Sequence, residues 1–188
     1  TPERWQGLER PVMIAVHPLS GVTDPSAFDL ETGRPAWRTY TVPYPGEPGA
    51  ETWPDDGGVP RGGGNCWITG TFDPELNLLY WGTGNPSPDF DGEVRRGDNL
   101  YTDCVVAVDP DTGEIRWHYQ YNPHDVWDYD SNMENILFSE DGRSLLGHFN
   151  KNGYFYVLDR TDGQLVRVTP FSKRITWGEV HADGDVGG

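Results

Sequence analysis

The chain has 188 residues, enough for one domain with a real core, and its 14 basic against 30 acidic side chains give a formal charge of −16. That balance argues against nucleic acid and anionic membrane surfaces as partners and for cationic partners or metal ions. With 24 glycines, 16 prolines, eight Trp, nine Tyr and seven Phe, the composition reads as short strands joined by tight turns, since a disordered chain would not carry so many rings.

The chain opens on the charged stretch "TPERWQGLER", which is no signal peptide, so the expectation is a mature form or a fragment. No apolar run is long enough to span a membrane. Residues 1–26 hold one short strand-like piece with poor alternation and stay unplaced. The next stretch, "AFDLETGRPAW" (27–37), returns as "AVDPDTGEIRW" (107–117). Both read A-x-D-x-x-T-G-x-x-x-W. A third copy, "VLDRTDGQLVR" (157–167), keeps the Asp and Gly but has Arg167 where Trp would stand. Each copy predicts a strand, a tight turn, a glycine at positive φ and a returning strand; in the first two, Asp and Thr close the turn and the Trp is planted between sheets. "DPDTGE" also looks like a calcium loop, but its acid spacing fits a hairpin better.

Between the copies, residues 41–65 read as a long loop. "WITGTFD" and "NLLYWGTG" flank the turn "PEL"; "NILFS" and "SLLGHF" flank "EDGR"; "YFYVLD" follows "NKNG". No stretch shows sustained helical periodicity. The run "GGGN" precedes strand-like sequence and not a helix, so it does not read as a phosphate cradle. Cys66 and Cys104 are too few for a disulfide framework, and His118, His124 and His148 lack zinc spacing. Repeated hairpins of this kind predict an all-β fold, a β-propeller or a related repeat array.

"HDVWDYD" (124–130) packs Asp125, Asp128 and Asp130 beside two large rings. Two acids two residues apart point to a cation or a base; if the stretch is extended, Asp128 and Asp130 face the same side. Taken singly, the bland readings are the commoner ones. Trp67 would be core packing, Asn85 before Pro86 a turn residue, Asp128 and Asp130 a solvated loop, and Lys151 a turn lysine.

The eleven-residue repeat resembles the tryptophan-docking motif of quinoprotein alcohol dehydrogenases, eight-bladed propellers that bind pyrroloquinoline quinone (PQQ). The resemblance extends through "GGGNCW", "YWGTGNPSP", "RRGDNLYTD", "NPHDVWDYD" and "NKNGYFYVLDRTDG", and covers residues 27–171. It implies about three blades in 27–171, with 172–188 a partial next blade or a tail. It implies that Trp67 is the ring on which PQQ stacks, Asn85 a metal ligand, Asp128 both catalytic acid–base residue and metal ligand, and Lys151 the cation at the quinone oxygens. Asp130 occupies the position of the extra metal-binding acid of the lanthanide-dependent branch, with calcium the alternative ion. The chemistry suits these types: a flat quinone needs an aromatic floor, a hard cation needs oxygen ligands, and a carboxylate must take the alcohol proton.

Three features depart from the family pattern. "VHPLSGVTDPS" lacks the Glu ligand that family members place before the first repeat, the vicinal cysteine pair is absent, and Asn65 stands where a small hydroxyl residue is usual. Three blades also cannot close a ring. The resemblance therefore implies an internal fragment of a periplasmic dehydrogenase, inactive alone, whose parent oxidises a primary alcohol and passes electrons to a c-type cytochrome. Two rivals remain. A non-catalytic propeller scaffold would keep the docking tryptophans but has no use for Trp67, Asn85, Asp128 and Lys151 together. A glycoside hydrolase would need two carboxylates facing each other across a cleft.

Overall fold

In the computed structural model, residues 12–14, 25–29, 32–54, 62–181, 183–184 and 186–187 are described. Most of the unplaced segment 1–26, and with it most of the stretch lacking the Glu, lies outside them, as do residues 55–61 of the expected loop. The described chain is built from short antiparallel strands. β1 (Val12–Ile14), β2 (Ser26–Asp29) and β3 (Pro35–Arg38) form one sheet. β5 (Thr71–Asp73), β6 (Leu78–Gly82), β8 (Cys104–Val108) and β9 (Ile115–Gln120) form a second, in chain order. β10 (Asn135–Glu140), β11 (Arg143–Phe149), β12 (Tyr154–Asp159) and β13 (Leu165–Pro170) form a third. Two-strand pairs complete the set: β4 (Gly62–Gly63) with β7 (Pro86–Ser87), and β14 (Glu179–Val180) with β15 (Val186–Gly187).

The middle sheet is apolar on both faces because it is sandwiched. Successive strand residues point to opposite faces. Tyr80, Val105 and Ala107 therefore join Leu146, Tyr156 and Leu158 of the third sheet in one core layer. Their neighbours Leu79, Trp81, Cys104, Val106 and Val108 pack with Trp37 in the other. This explains why "CVVAV" is apolar without alternation and wholly buried. Cys66 and Cys104 are both buried.

The three repeats are the β2–β3, β8–β9 and β12–β13 hairpins. In each, the Asp N–H bonds a carbonyl five residues on, at 2.8–2.9 Å, and the turn glycine donates back to that Asp at 2.8 Å. The Asp side chains also accept from the turn: Thr32 N–H at 2.7 Å, Asp111 N–H at 2.8 Å and Thr161 N–H at 3.0 Å. Gly33, Gly113 and Gly163 have φ of 67°, 78° and 79°. Each hairpin shifts register beside its Asp.

The tryptophans dock on the next repeat. A Cβ on Gly113 would lie 2.7 Å from the Trp37 ring, whose Nε1–H donates to the Pro110 carbonyl at 2.9 Å. A Cβ on Gly163 would lie 2.5 Å from the Trp117 ring. Arg167, in the Trp position of the third copy, instead pairs with Glu140 at 3.4 Å. Gly163→Ala must therefore displace Trp117 and also strain a left-handed residue. The expected loss is about 2–4 kcal/mol, read as a lowered denaturation midpoint with an unchanged slope.

Candidate active site

The site gathers where the β6–β7 connection, the 125–132 loop and the β11–β12 turn meet. The glycine run supplies close backbone approach. Gly64 N–H donates to the Asn85 carbonyl at 3.0 Å, and a Cβ on Gly63 would lie 2.2 Å from that oxygen. Asn85 N–H in turn donates to Asp130 Oδ1 at 3.3 Å, and its side-chain Nδ2 donates to the Pro86 carbonyl at 3.0 Å.

Trp67 is no core residue: it is 46% exposed. Its ring lies over Gly84, where a Cβ would come within 2.7 Å of Cζ3 and 3.0 Å of Asp130 Oδ1. Only glycine fits between the ring and the acid. The backbone on either side is tied down. Trp67 N–H donates to Asn132 Oδ1 at 3.3 Å, and Asn132 Nδ2 donates to the Asn65 carbonyl at 2.8 Å.

The acids do converge, but not as an extended strand would bring them together. Residues 128–130 lie outside every strand, and Asp128 and Asp130 have φ of 65° and 26°. Asp and Asn tolerate this region because their short polar side chains bond locally. Asp125 enforces the shape. It is fully buried, and its two oxygens accept Trp127 N–H at 3.0 Å and Tyr129 N–H at 2.8 Å. The result points both carboxylates at one nitrogen: Lys151 Nζ lies 3.4 Å from Asp128 Oδ2 and 3.1 Å from Asp130 Oδ2. Partial burial pulls the Lys151 ammonium down, but the hydrogen bond and charge of Asp130, then of Asp128, outweigh it and hold it above the ordinary lysine range.

Two buried groups, both from the stretch "RRGDNLYTD", lie behind the loop. Arg95 is buried and donates from Nε to the Pro88 carbonyl at 2.9 Å, from Nη1 to Asn99 Oδ1 at 3.0 Å, and from Nη2 to the carbonyls of Asp89 and Asp125. Asp103 is fully buried, and neither carboxyl oxygen has a hydrogen-bond donor among the described residues. Burial, then the charges of Asp125 and Asp130, push its carboxyl well above the usual range. Beneath the β11–β12 turn, Asn150 Nδ2 donates to Ser131 Oγ at 2.8 Å, and His148, held neutral by burial, stacks on Tyr121 at 4.3 Å.

The donor set suits a hard cation in kind: two carboxylates are aimed at one point, and the Asn85 main chain is bonded to one of them. Among the described residues, no group of three or more His, Cys, Asp and Glu side chains is placed to hold a metal. Further oxygen ligands must come from elsewhere. Lys151 Nζ bridges Asp128 and Asp130, whereas a glycosidase keeps the space between its two acids for the scissile bond.

Comparison with known proteins agrees with this fold. Residues 15–176 match the profile of the PQQ glucose/ethanol/alcohol dehydrogenase β-propeller domain. The chain is 45% identical over 173 residues to quinohemoprotein alcohol dehydrogenase ADH IIB of Pseudomonas putida, covering 82% of this chain and 24% of that protein. It is 35% identical over 174 residues to the lanthanide-dependent methanol dehydrogenase of Methylorubrum extorquens, covering 81% and 29%. The crystal structure of quinohemoprotein alcohol dehydrogenase from Comamonas testosteroni superposes with a TM-score of 0.78 at 38% identity, over 94% of this chain and 29% of that one. The chain thus spans about a quarter of the length of such relatives. It belongs to the PQQ glucose/ethanol/alcohol dehydrogenase family and forms part of that family's β-propeller.

Proposed function

We propose that this chain carries the acid, the cation and the aromatic floor of a PQQ-dependent alcohol dehydrogenase that oxidises a primary alcohol to an aldehyde. The observation that supports it most is the gathering of Lys151, Asp128 and Asp130 within 3.4 Å. A half-exposed Trp67 over a glycine lies beside Asp130. A propeller scaffold that only holds partners has no use for this arrangement.

Bound PQQ and its metal ion supply the two-electron acceptor for the hydride that leaves the alcohol carbon. Trp67 offers the flat face on which a tricyclic quinone stacks. Asp128 accepts the hydroxyl proton as the carbon–hydrogen bond breaks. Lys151 balances the two acids and offers N–H donors to a quinone oxygen. Asn85 and Asp128 ligate the ion, and Asp130 adds the charge that a trivalent lanthanide requires; calcium is the alternative ion. A c-type cytochrome takes the electrons, and the formal charge of −16 favours a basic docking face on it. The whole enzyme works in the periplasm.

Dye-linked oxidation of primary alcohols by the full-length enzyme, loaded with PQQ and lanthanum, cerium or calcium, tests the reading. No turnover with any ion would overturn it. Trp67→Ala is expected to weaken PQQ binding by about 1–3 kcal/mol, the usual worth of a lost aromatic stack. Titration of cofactor absorbance measures it. Unchanged affinity with a lowered melting temperature would return Trp67 to a packing role.

A further inference from the structure

Trp177 lies beyond the three repeats, in the segment that leaves β13, yet it touches both arms of the site. Its Nε1–H donates at 2.8 Å to the carbonyl of Asn152, the residue after Lys151. Its ring packs at 5.6 Å on Trp127 and 5.5 Å on Tyr129, the residues on either side of Asp128. Trp127 and Tyr129 also meet each other at 5.9 Å, so the three rings form a closed triangle.

The two arms are rigid within themselves. On the lysine side, Asn152 donates from Nδ2 to Asn122 Oδ1 at 2.6 Å and to Tyr156 OH at 2.8 Å, and accepts Tyr154 N–H at 3.1 Å. On the acid side, Asp125 fixes the backbone through Trp127 and Tyr129. What these bonds do not fix is the spacing between the arms. Asn150 Nδ2 to Ser131 Oγ spans it on one flank. Trp177 spans it on the other. Because Trp127 and Tyr129 lean together onto Trp177, the intervening Asp128 is left facing Lys151.

We propose that Trp177 is a positioning residue that sets the separation between Lys151 and the Asp128/Asp130 pair. It would do so as a strut, bonded to one arm and packed on the other. Its role in catalysis rests on the dehydrogenase reading above; its role in spacing does not.

Lys151 and Lys173 are the two lysines of this chain, and Lys173 is exposed. Brief acylation followed by peptide mass spectrometry therefore reads Lys151 against an internal reference, without cofactor or metal. A lysine held between two carboxylates acylates slowly. Trp177→Ala is expected to raise the Lys151/Lys173 ratio several-fold, with Trp177→Phe, which keeps a ring but no N–H, recovering part of the protection. The same substitution made on top of Asp128→Asn and Asp130→Asn should change the ratio little, because no pair remains to be spaced. An unchanged ratio in the wild-type background, or an equal rise in both backgrounds, overturns the proposal; the latter is mere loosening of the fold. In the loaded full-length enzyme, Trp177→Ala should lower kcat more than it raises KM. If the ratio rises as expected while the wild-type enzyme oxidises no alcohol, the strut stands and the dehydrogenase reading falls.

Discussion

Asp128→Asn is expected to lower kcat by about 10²–10⁴-fold, the usual loss when a general base is removed, while PQQ stays bound. The amide keeps the shape of the side chain and can still accept a bond from Lys151, so the loop need not move. It cannot take the alcohol proton as a carboxylate does. Loss of a metal ligand adds to the effect. Single-turnover reduction of the loaded cofactor by alcohol would separate the chemical step from binding. Near-normal rates would remove Asp128 as the base. Asp125 would not be a ready substitute, although it stands three residues away. It is fully buried, and each of its oxygens already accepts a main-chain N–H.

The hairpins were legible in the sequence because their chemistry is local. Asp29, Asp109 and Asp159 close their own turns, and a glycine at positive φ follows each at a fixed offset. The tryptophan docking was legible because it repeats: Trp37 meets Gly113 as Trp117 meets Gly163. Asp128, Asp130 and Lys151, singled out in the sequence, lie together, but the 128–130 stretch is not the extended one in which alternation alone would align the two acids. Strand alternation would have sufficed, whereas the chain uses two left-handed aspartates and the Asp125 brace. Positive φ is permitted for Asp and not demanded by it, so the letters alone do not announce it. Arg95, Asp103 and Trp177 were passed over for a different reason. Arg95 and Asp103 sit in "RRGDNLYTD" and Trp177 lies beyond the matched stretches, and each acquires its place only when segments distant in the chain meet. A buried arginine and a buried acid without a donor are evident from burial and bonding alone.

Asp130→Ala is expected to abolish lanthanide-dependent alcohol oxidation and to leave calcium-dependent oxidation in place. The two acids of "DYD" divide their labour in the proposed site: Asp128 serves both proton and ion, and Asp130 serves the ion's third charge. At an effective dielectric of about 20, one unit of charge about 4 Å from a carboxylate is worth about 4 kcal/mol before desolvation. A trivalent ion therefore loses more than a divalent one when a carboxylate goes. Alanine also strips the Asn85 N–H of its acceptor and opens space beneath Trp67, since Asp130 Oδ1 lies close to Gly84. Asp130→Asn controls for both, because it keeps an oxygen there but not the charge. The measurement is alcohol oxidation by the full-length wild type and both variants, each loaded with lanthanum, cerium or calcium. If the charge is what matters, Asn and Ala lose the lanthanides alike and both keep calcium. If Asn keeps all three ions and Ala loses all three, Asp130 holds the Asn85 backbone and the floor of the site, and no more. A wild type active with calcium alone would remove the lanthanide assignment while leaving the quinoprotein chemistry of Asp128 and Lys151 intact.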